Sequence, residues 1–545
     1  MAEKAAPEAV DPELLNEYLG RGVDLFQINP WNRTFRTAML VYPVFDTLPV
    51  RETKFREIYA DNLLELSHEL GVEAGLKGSY GGVTASVSSK FQSSEQRSEK
   101  RHYLKISHDI AAKTIIVAGG KEKLKDQLDP DFKHALNTSA PAELFSEYGT
   151  HLARKIRIGG RAEYFCQSVA TSRLTSDEFK IAAKAKYQTL GGDVAEDSGA
   201  GGSIGGSSSV RTLDTKNVKD VTGNSYIDTL GGSAETAVQI KDKAGWVKWA
   251  KACEEFPGLL GFESDGLLPI WELVDDNARR TAIHEAYKRM AAKALRPQIL
   301  FATSASDGHP EARVRIPDGY DLVSGGAKVA WTGEGNLLTA SFPEGNNTWR
   351  ANSKDHMKAS PAPVTAFAIV IDDPDDIWEI QVFQSRPSPA ANHPYQEISV
   401  GSGYVMVGGG AQVDYRGHGN MLFASYPINE TTWRAQSKDH TVGDPATITA
   451  YAIGLKCKVA GVRVVSEIKR SRSNPGSRPL ALASPSSGYV MLGGGAALNF
   501  SGPGLLLTQS YPRESNTWEG QAKDHLVGDS GTIDTYCIGV KVVDA

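Results

Sequence analysis

Histidine, aspartate and tryptophan recur at matching places in the C-terminal half of this 545-residue sequence. Three Lys-Asp-His triplets lie at 354–356, 438–440 and 523–525, each after a Thr-Trp pair. Histidine beside aspartate can bind a metal ion, hold a sugar or a phosphate, or act as an acid or base. In the structural alternative, which we favour, each Asp anchors a turn and each His or Trp packs in a repeated position. The candidate ligand-binding residues are Trp349, Asp355, His356, Trp433, Asp439, His440, Trp518, Asp524 and His525.

Three motifs of common enzyme and metal sites do not occur in the sequence. It contains no Walker loop, no His-Glu-x-x-His motif and no paired cysteine set. We therefore predict that the protein is not an enzyme and has no metal or other cofactor. The cysteines are widely spaced in apolar or strand-like contexts, which is typical of buried free thiols; they are Cys166, Cys253, Cys457 and Cys537.

Charge and hydropathy exclude two further classes of protein. The 59 basic and 65 acidic residues give a formal charge of −6, which offers no electrostatic basis for binding nucleic acid. No stretch approaches the roughly 18 consecutive apolar residues of a membrane-spanning helix. The N-terminal sequence MAEKAAPEAVDPELL has no apolar signal-peptide core. If such a protein enters a membrane, we expect it to do so by rearranging.

Three copies of one unit carry the triplets. Each copy opens with Gly-Tyr, runs into a glycine-rich string, and continues with Ser-Phe-Pro or Ser-Tyr-Pro and then Thr-Trp. The three tryptophans are 84 and 85 residues apart. A β-rich unit of this size cannot bury its own core, so the copies argue for one closed threefold domain. We predict an all-β, three-sided β-prism over residues 296–545.

The predicted prism has repeats at about 319–402, 403–487 and 488–545. After the triplet, the first two copies contain two further strand-like segments, whereas the third copy contains only one. Residues 298–303 have the same place relative to the first Gly-Tyr pair and could supply the missing strand. The two ends of the domain would then close on each other and remove an exposed sheet edge.

One stretch of the N-terminal half, residues 148–160, joins an aromatic-Gly-Thr-His cluster to a glycine pair. Ile156 and Ile158 alternate with basic residues, which is typical of a half-buried strand. Gly159 and Gly160 then allow that strand to bend. The stretch by itself predicts a strand that kinks where it has no side chains.

This stretch resembles the signature of the membrane attack complex/perforin (MACPF) family. One position departs from the signature, since Leu152 stands where the family usually has Phe or Tyr. The resemblance implies an α+β module over residues 1–295, with an N-terminal lead-in and a strongly bent antiparallel sheet flanked by helical clusters. It also implies that the signature lies in the core of that sheet, near the bend. The matching residues are Tyr148, Gly149, Thr150, His151, Gly159 and Gly160.

Two segments on either side of the signature have alternating patterns. Residues 72–80 and 83–91 form two nine-residue limbs around a glycine pair, and residues 179–188 form a further limb with an apolar face. A membrane-spanning strand needs about 9–11 residues. A soluble hairpin, or a helix containing several glycines, is the alternative for the first segment. The candidate hairpin residues are Val72, Ala74, Leu76, Tyr80, Val83, Ala85, Val87 and Phe91, then Phe179, Ile181, Ala183, Ala185 and Tyr187. Upstream, the sequence predicts a strand over Thr37–Pro43 and a helix over Phe55–Leu70.

The resemblance implies that segments 62–105 and 172–228 are stored as helices and unfurl into amphipathic β-hairpins. We therefore expect a pore-forming protein that binds target cell membranes through its C-terminal domain and assembles from soluble monomers into a ring. The hairpins would close into a transmembrane β-barrel, which satisfies backbone hydrogen bonds in lipid.

The whole chain looks like bacterial MACPF toxins with a C-terminal β-prism, including insecticidal ones. Such a protein would be secreted or released from a bacterium without a visible signal peptide, and would act at a target cell membrane. Its receptor would be a glycan, a lipid or a protein, and no nucleic acid would be involved. The alternative is a non-lytic membrane- or glycan-binding adhesin that keeps the fold without inserting.

Overall fold

The computed structural model describes residues 15–27, 34–41, 43–49, 55–60, 63–76, 101–169, 179–180, 182–184, 187, 224–238, 240, 243–263, 265–373, 375–502 and 504–545. The chain divides into two compact units, Met1–Tyr287 and Lys288–Ala545. The first unit combines helices with antiparallel sheets, and the described part of the second unit beyond its first residues is built of β-strands. The fold class is therefore α+β, as the sequence predicts.

The described strands of the first unit form two antiparallel sheets. The smaller sheet has the strand order β10-β6-β1-β2, and the larger, here called the central sheet, has the order β3-β5-β7-β8, with β4 paired to β5 and β9 paired to β7. The strands are β1 Arg21–Val23, β2 Phe35–Ala38, β3 Phe45–Pro49, β4 Phe55–Ala60, β5 Arg101–Val117, β6 His151–Ala153, β7 Lys155–Val169, β8 Asn224–Leu230, β9 Gly258–Phe262 and β10 Leu267–Pro269.

Strands β5 and β7 run for 17 and 15 residues through the middle of the central sheet. Successive side chains of a strand point to opposite faces. Tyr164 therefore joins one core cluster, which includes residues of the helix Lys243–Glu255. Its neighbour Phe165 joins another, which includes residues of the helix Leu63–Glu73. Helical segments thus cover both faces of the central sheet.

In two helices of the first unit, local chemistry explains where the helix begins or ends. Asp129 accepts hydrogen bonds from the backbone N–H groups of Asp131 and Phe132, and Pro130 occupies the first turn, where its missing N–H costs nothing. Gly149 ends the next helix with φ of 76°. The helices are Leu63–Glu73, Lys121–Asp126, Pro130–Thr138, Pro141–Tyr148, Ala234–Val238, Lys243–Glu255 and Asn277–Lys293, with a 3-10 helix at Ile270–Leu273.

Two local predictions for the start of the chain are wrong. The predicted helix Phe55–Leu70 contains strand β4 at its start, and the helix begins only at Leu63. Strand β4 forms because it pairs along its whole length with β5, and such tertiary pairing overrides a local helical pattern. The predicted strand Thr37–Pro43 is displaced, since β2 covers Phe35–Ala38.

The described part of the second unit contains three six-stranded antiparallel sheets. Their orders are β11-β16-β13-β26-β27-β24, β12-β15-β14-β19-β22-β17 and β18-β21-β20-β25-β28-β23. The strands are β11 Gln298–Thr303, β12 Glu311–Arg315, β13 Tyr320–Val329, β14 Leu337–Pro343, β15 Thr348–Lys354, β16 Val364–Asp372, β17 Trp378–Gln384, β18 Tyr395–Ser399, β19 Val405–Asp414, β20 Met421–Pro427, β21 Thr432–Lys438, β22 Thr447–Cys457, β23 Val462–Arg472, β24 Leu480–Ala483, β25 Val490–Phe500, β26 Leu506–Glu514, β27 Thr517–Lys523 and β28 Gly531–Asp544.

Every sheet of the prism joins strands of more than one repeat. In the second sheet, for example, β14 and β15 of the first repeat lie beside β19 and β22 of the second. The last strand of each of the first two repeats pairs with the following repeat, as β17 pairs with β22 and β23 with β28. Strand β11 holds the equivalent place in the first sheet, where it pairs with β16. The repeats therefore interlock around one pseudo-threefold axis.

Candidate functional site

Strand β7 changes its pairing partner at the glycine pair. Residues from Ile156 to Gly159 pair with β9, whereas residues from Arg161 to Gln167 pair with β8. On the other side of β7, the pairing with β5 skips from Ile110 to Lys113, which is the mark of a β-bulge. Gly159 has φ of 152°, a conformation that favours glycine. A bulge bends its strand and increases the local twist. The bulge in β5 lies opposite the place where β7 changes partners, so both central strands are irregular at the same level of the sheet.

The helix Lys243–Glu255 lies directly against this irregular part. A Cβ atom added to Gly160 would lie 2.3 Å from the Sγ atom of Cys253. Gly231, at the end of β8, has φ of 77°, and its carbonyl accepts a hydrogen bond of 3.0 Å from Nε1 of Trp249. The missing glycine side chains therefore allow a helix to seat on the sheet backbone where β7 changes partners.

The aromatic-Gly-Thr-His part of the signature forms a local hydrogen-bonded joint. Thr150 donates its backbone N–H to the carbonyl of Val23 at 2.9 Å and accepts one from the backbone of Leu25 at 3.3 Å. A Cβ atom on Gly149 would lie 2.7 Å from the Val23 carbonyl. Nδ1 of His151 lies 2.9 Å from the Thr150 hydroxyl. Burial lowers the pKa of His151 to about 3, so its ring is neutral at physiological pH and suits structural bonding better than proton transfer.

Part of the first candidate hairpin segment lies in a helix. Val72 belongs to the helix Leu63–Glu73, and Ala74 and Leu76 follow it as buried residues of the core. Leu76 donates its N–H to the carbonyl of Gly71 at 3.0 Å, and Gly75 between them has φ of 72°, which together cap the end of the helix. The other candidates lie outside the described residues; they are Tyr80, Val83, Ala85, Val87 and Phe91.

The described positions of the second candidate segment are helical as well. Phe179, Ala183 and Tyr187 are buried in the core cluster that also holds Trp246 and Trp249. Their spacing of four residues places them on one side of a helix. The remaining candidates, Ile181 and Ala185, lie outside the described residues.

A buried charge network lies on the central sheet and was not foreseen from the sequence. It consists of Glu73 at the end of a helix, Lys105 and Asp109 on β5, and Arg157, Arg161 and Glu163 on β7. Each of these residues is 5% exposed or less. The signal that could have found the network is the alternation of polar residues at 105, 107 and 109 and at 161 and 163 within two otherwise apolar strands.

Short contacts join most members of the network, whereas Arg157 lies 3.5 Å from Asp109. Glu73 accepts from Nζ of Lys105 and, at 2.8 Å, from the hydroxyl of Ser107. Lys105 also lies 2.7 Å from Glu163. Arg161 donates from Nε and Nη2 to both carboxylate oxygens of Asp109, at 2.5 and 2.8 Å.

The charges within this network fix its ionisation. Burial by itself would raise the pKa of Glu73, but the nearby Lys105 and Arg161 cations outweigh burial and lower that pKa to about 2. Arg161 likewise has a raised pKa, because its bond to Asp109 and the neighbouring carboxylates outweigh the effect of burial. At neutral pH the carboxylate of Glu73 is therefore charged in a site that water does not reach.

The tryptophans that precede the triplets lie inside the prism. Trp349, Trp433 and Trp518 are all 1% exposed or less. Each donates its indole N–H to a serine hydroxyl in the Ser-aromatic-Pro element of the same repeat, at 3.0 to 3.1 Å. The acceptors are Ser341, Ser425 and Ser510. The indole edges thus already have an internal partner.

The triplet histidines form a ring around the axis of the prism. Nε2 of His356 lies 2.8 Å from the backbone carbonyl of His440, that of His440 lies 2.6 Å from the carbonyl of His525, and that of His525 lies 2.9 Å from the carbonyl of His356. The ring centroids are 5.3 to 5.5 Å apart. Every histidine is 2% exposed or less, so the ring ties the three repeats together from inside.

The triplet aspartates are half-buried, and each donates its backbone N–H to a carbonyl of a preceding loop, at 2.8 to 2.9 Å; the acceptors are Gly308, Asn392 and Ser477. Two of the side chains form different contacts. Asp355 accepts from the backbone N–H of Ser360 at 3.2 Å, and Asp439 lies 3.1 Å from Nε2 of His393. The structure therefore brings the histidines together in a shared ring, whereas each aspartate stays with a loop of its own.

Three further features bear on the chemistry of the chain. Among the residues that the structure describes, no three or more His, Cys, Asp or Glu side chains come together as a metal site would require. Within the same ranges, no helix is both long enough and apolar enough to cross a membrane. All four cysteines are free; Cys457 is half-buried and the others are buried.

Comparison with known proteins gives a family for the first unit. Residues 50–295 match the model of the MAC/Perforin domain family. No curated protein matches the chain by sequence.

Solved structures give weaker similarities over a larger part of the chain. The chain is similar to the crystal structure of GNIP1Aa from Chromobacterium piscinae, with 17% sequence identity and a TM-score of 0.41 over 71% of this chain and 76% of that one. It is also similar to Astrotactin-2, a vertebrate-specific, perforin-like membrane protein involved in neuronal development. There the identity is 9% and the TM-score 0.35, over 64% of this chain and 68% of that one.

Proposed function

Because residues 50–295 form a MAC/Perforin domain, we propose that this protein forms pores in the membranes of target cells. The second unit binds the target membrane, bound monomers assemble into a ring, and two segments of each monomer insert as β-hairpins. The hairpins of all monomers close into one barrel, since an open sheet would leave unpaired backbone groups in lipid. The protein acts outside the bacterium that produces it.

The observation that carries this proposal is where the candidate segments connect to the central sheet. Residues 61–100 join β4 to β5, and residues 170–223 join β7 to β8. At this end of the sheet, Ala60 pairs with Tyr103, Arg101 with Val169, and Gln167 with Asn224. Both connections therefore leave the sheet at the same end. If each became a hairpin, the four strands would grow longer without any change in their order.

The second segment has a composition that suits two conformations. Its described residues are helical and include the small residues Ala182 and Ala183, which pack in the core. Alanine is tolerated in a helix and fits an alternating strand when the backbone is re-paired. The packed helix supports a helical conformation in the soluble monomer. The alternation of apolar and polar residues in the sequence supports a β-hairpin in the membrane.

We place recognition of the target on the outer surface of the prism. The indole and imidazole groups of the repeated motif have internal partners, so they are poorly placed to hold a ligand from solution. Exposed apolar side chains of the second unit include Tyr395 and Met357, at 61% and 54% exposure. The receptor is a glycan, a lipid or a protein on the target cell.

The experiment that tests this function uses insect midgut membrane vesicles loaded with a fluorescent dye. We expect the purified protein to release the dye and to form rings visible by negative-stain electron microscopy. Vesicles made from phospholipid alone serve as the control for receptor dependence. Binding to vesicles or to a glycan array without rings and without leakage would contradict the proposal and would identify a non-lytic adhesin.

A further inference from the structure

The buried charge network joins a helix to the central sheet through one residue. Lys105 and Asp109 belong to β5, and Arg157, Arg161 and Glu163 belong to β7. Glu73 alone in this network comes from a helix, of which it is the last residue. Its carboxylate lies against Lys105 and Ser107 and is 3.7 Å from Nη1 of Arg161. The helix Leu63–Glu73 is thus bound to the sheet by a charge as well as by its apolar side.

The charges of the network balance only while this helix is in place. With Glu73 bound, three carboxylates face three cations, and without Glu73 two carboxylates would face three cations. A buried cation that loses its partner keeps its desolvation cost, so breaking such a pair is strongly unfavourable. Departure of the helix therefore leaves one positive charge on the sheet that must be hydrated or paired again.

The rest of the network does not depend on the helix. Asp109 and Arg161 are direct partners across β5 and β7, and their side chains form two hydrogen bonds. Lys105 retains Glu163 at 2.7 Å. The sheet therefore has internal pairs that outlast the loss of Glu73, and the cost of release is confined to one charge.

The residues after Glu73 hold it beside strand β9. The carbonyl of Ala74 accepts a hydrogen bond of 3.0 Å from the N–H of Phe262. Gly75 has φ of 72°, and a Cβ atom there would lie 2.1 Å from the carbonyl oxygen of Phe262. Because Phe262 pairs with Ile156 on β7, the end of the helix is attached close to the place where β7 changes partners.

We propose that Glu73 is an electrostatic latch, which holds the helix Leu63–Glu73 on the central sheet until the bound monomer assembles. The latch keeps the soluble monomer from releasing the helix too early. Its role in timing rests on the proposed pore formation, but its effect on the helix exists in the monomer and is measured there.

The test compares the variants Glu73→Gln and Glu69→Gln by hydrogen exchange. Glu69 lies one turn earlier on the same helix and is exposed, so Glu69→Gln removes the same charge without touching the network. In Glu73→Gln we expect the amides of the helix to open about 100-fold more often, which corresponds to the loss of a buried charge pair. In Glu69→Gln we expect exchange within about threefold of the original protein.

A second substitution separates a latch from a merely structural residue. Adding Arg157→Met to Glu73→Gln removes one cation and keeps the pairs Lys105–Glu163 and Asp109–Arg161, so the two remaining carboxylates again face two cations. We expect this double variant to regain exchange within about threefold of the original protein. Equal exchange in Glu73→Gln and Glu69→Gln would overturn the latch, and so would a double variant that exchanges faster than Glu73→Gln.

Dye release from target vesicles distinguishes failure of the latch from failure of pore formation. We expect Glu73→Gln to release dye about tenfold faster than Glu69→Gln, because the helix starts partly free. If Glu73→Gln opens faster but both variants release dye at one rate, then the helix does not limit insertion and the latch is wrong. If the helix behaves as expected but no form releases dye, the latch stands and the proposed function fails.

Discussion

The central sheet and the prism both bury polar side chains, but they connect them in different ways. In the prism, each triplet histidine bonds to the backbone of the next repeat, so the contact is repeated around a closed ring. In the central sheet, the charges of the network balance only with Glu73, which belongs to a helix next to the chain segment that we expect to move. A ring has no removable member, whereas the network on the sheet has one.

This difference matches the tasks that we propose for the two units. A recognition domain must keep one conformation while its surface searches for a receptor. A pore-forming domain must be stable in solution and still able to exchange one packed arrangement for another. Buried charge suits the second task, since it is stable when paired and unfavourable when one partner leaves.

The largest expected effect comes from creating a cavity in the core of the prism. Trp433→Ala removes a fully buried indole and leaves the Ser425 hydroxyl without its donor. We expect the free energy of unfolding of the prism to fall by about 3–5 kcal/mol. Urea denaturation followed by hydrogen exchange of prism peptides measures this loss. Tyr395→Ala, at a 61% exposed position, is the control and should change stability by less than about 0.5 kcal/mol.

Acid should weaken the first unit through His151. Its pKa is about 3 in the folded protein and about 6.5 when unfolded, so between these values the unfolded chain binds the proton more readily. The contribution of His151 to the free energy of unfolding is complete above pH 6.5 and falls by about 1.4 kcal/mol for each pH unit below it. In His151→Asn, the free energy of unfolding should therefore change with pH less steeply, by about 1.4 kcal/mol per pH unit. Equal slopes in the two proteins, measured by denaturant unfolding from pH 4.5 to 7, would contradict this assignment.

A methyl group at the place where β7 changes partners should disturb the seat of the helix Lys243–Glu255. Gly160→Ala places a Cβ atom 2.3 Å from Sγ of Cys253, and we expect a loss of about 1–3 kcal/mol in the stability of the first unit. Adding Cys253→Gly should recover part of this loss, since it removes the atoms in conflict. Unchanged stability in Gly160→Ala would show that the helix does not pack on the backbone there.

The smallest effect concerns strained turns next to the histidine ring. Leu526 follows His525 with φ of 58°, in the left-handed region that disfavours leucine. Leu526→Asn should raise the stability of the prism by about 0.5–1 kcal/mol, because asparagine adopts this conformation more easily. The matched change Met357→Asn, at φ of 60° in the first repeat, should act in the same direction. A loss of stability in both variants, measured by thermal unfolding, would contradict the interpretation that Leu526 and Met357 strain the backbone.

The sequence predicts most of what depends on repetition or on short-range pattern. The threefold repeats, and a first strand at residues 298–303 beside the repeated elements, are visible because equal residues recur at equal spacing. The glycine pair predicts a bend in β7, because two consecutive residues without side chains are rare within a strand. These signals are local or periodic, so they survive without knowledge of the fold.

Other features depend on contacts that the sequence does not display. The second candidate segment fits a strand and a helix equally well. Phe179, Ala183 and Tyr187 follow one another at intervals of four residues, which places them on one face of a strand, because four is even, and also on one face of a helix. The charge network joins Glu73, Lys105 and Arg161 from three distant places in the chain. No local pattern brings Glu73 into it, since only the packing of the helix on the sheet makes the contact.

The most direct test of the account locks the helix end to the central sheet. A Cβ atom on Gly261 would lie 3.4 Å from the Cα of Ala74, so the pair Ala74→Cys and Gly261→Cys is close enough to be joined by a disulfide. We predict that the oxidised variant binds target membranes like the original protein and releases no dye, and that a thiol reductant restores release. Full dye release by the oxidised, verified disulfide form would contradict the conversion of this segment into a membrane hairpin.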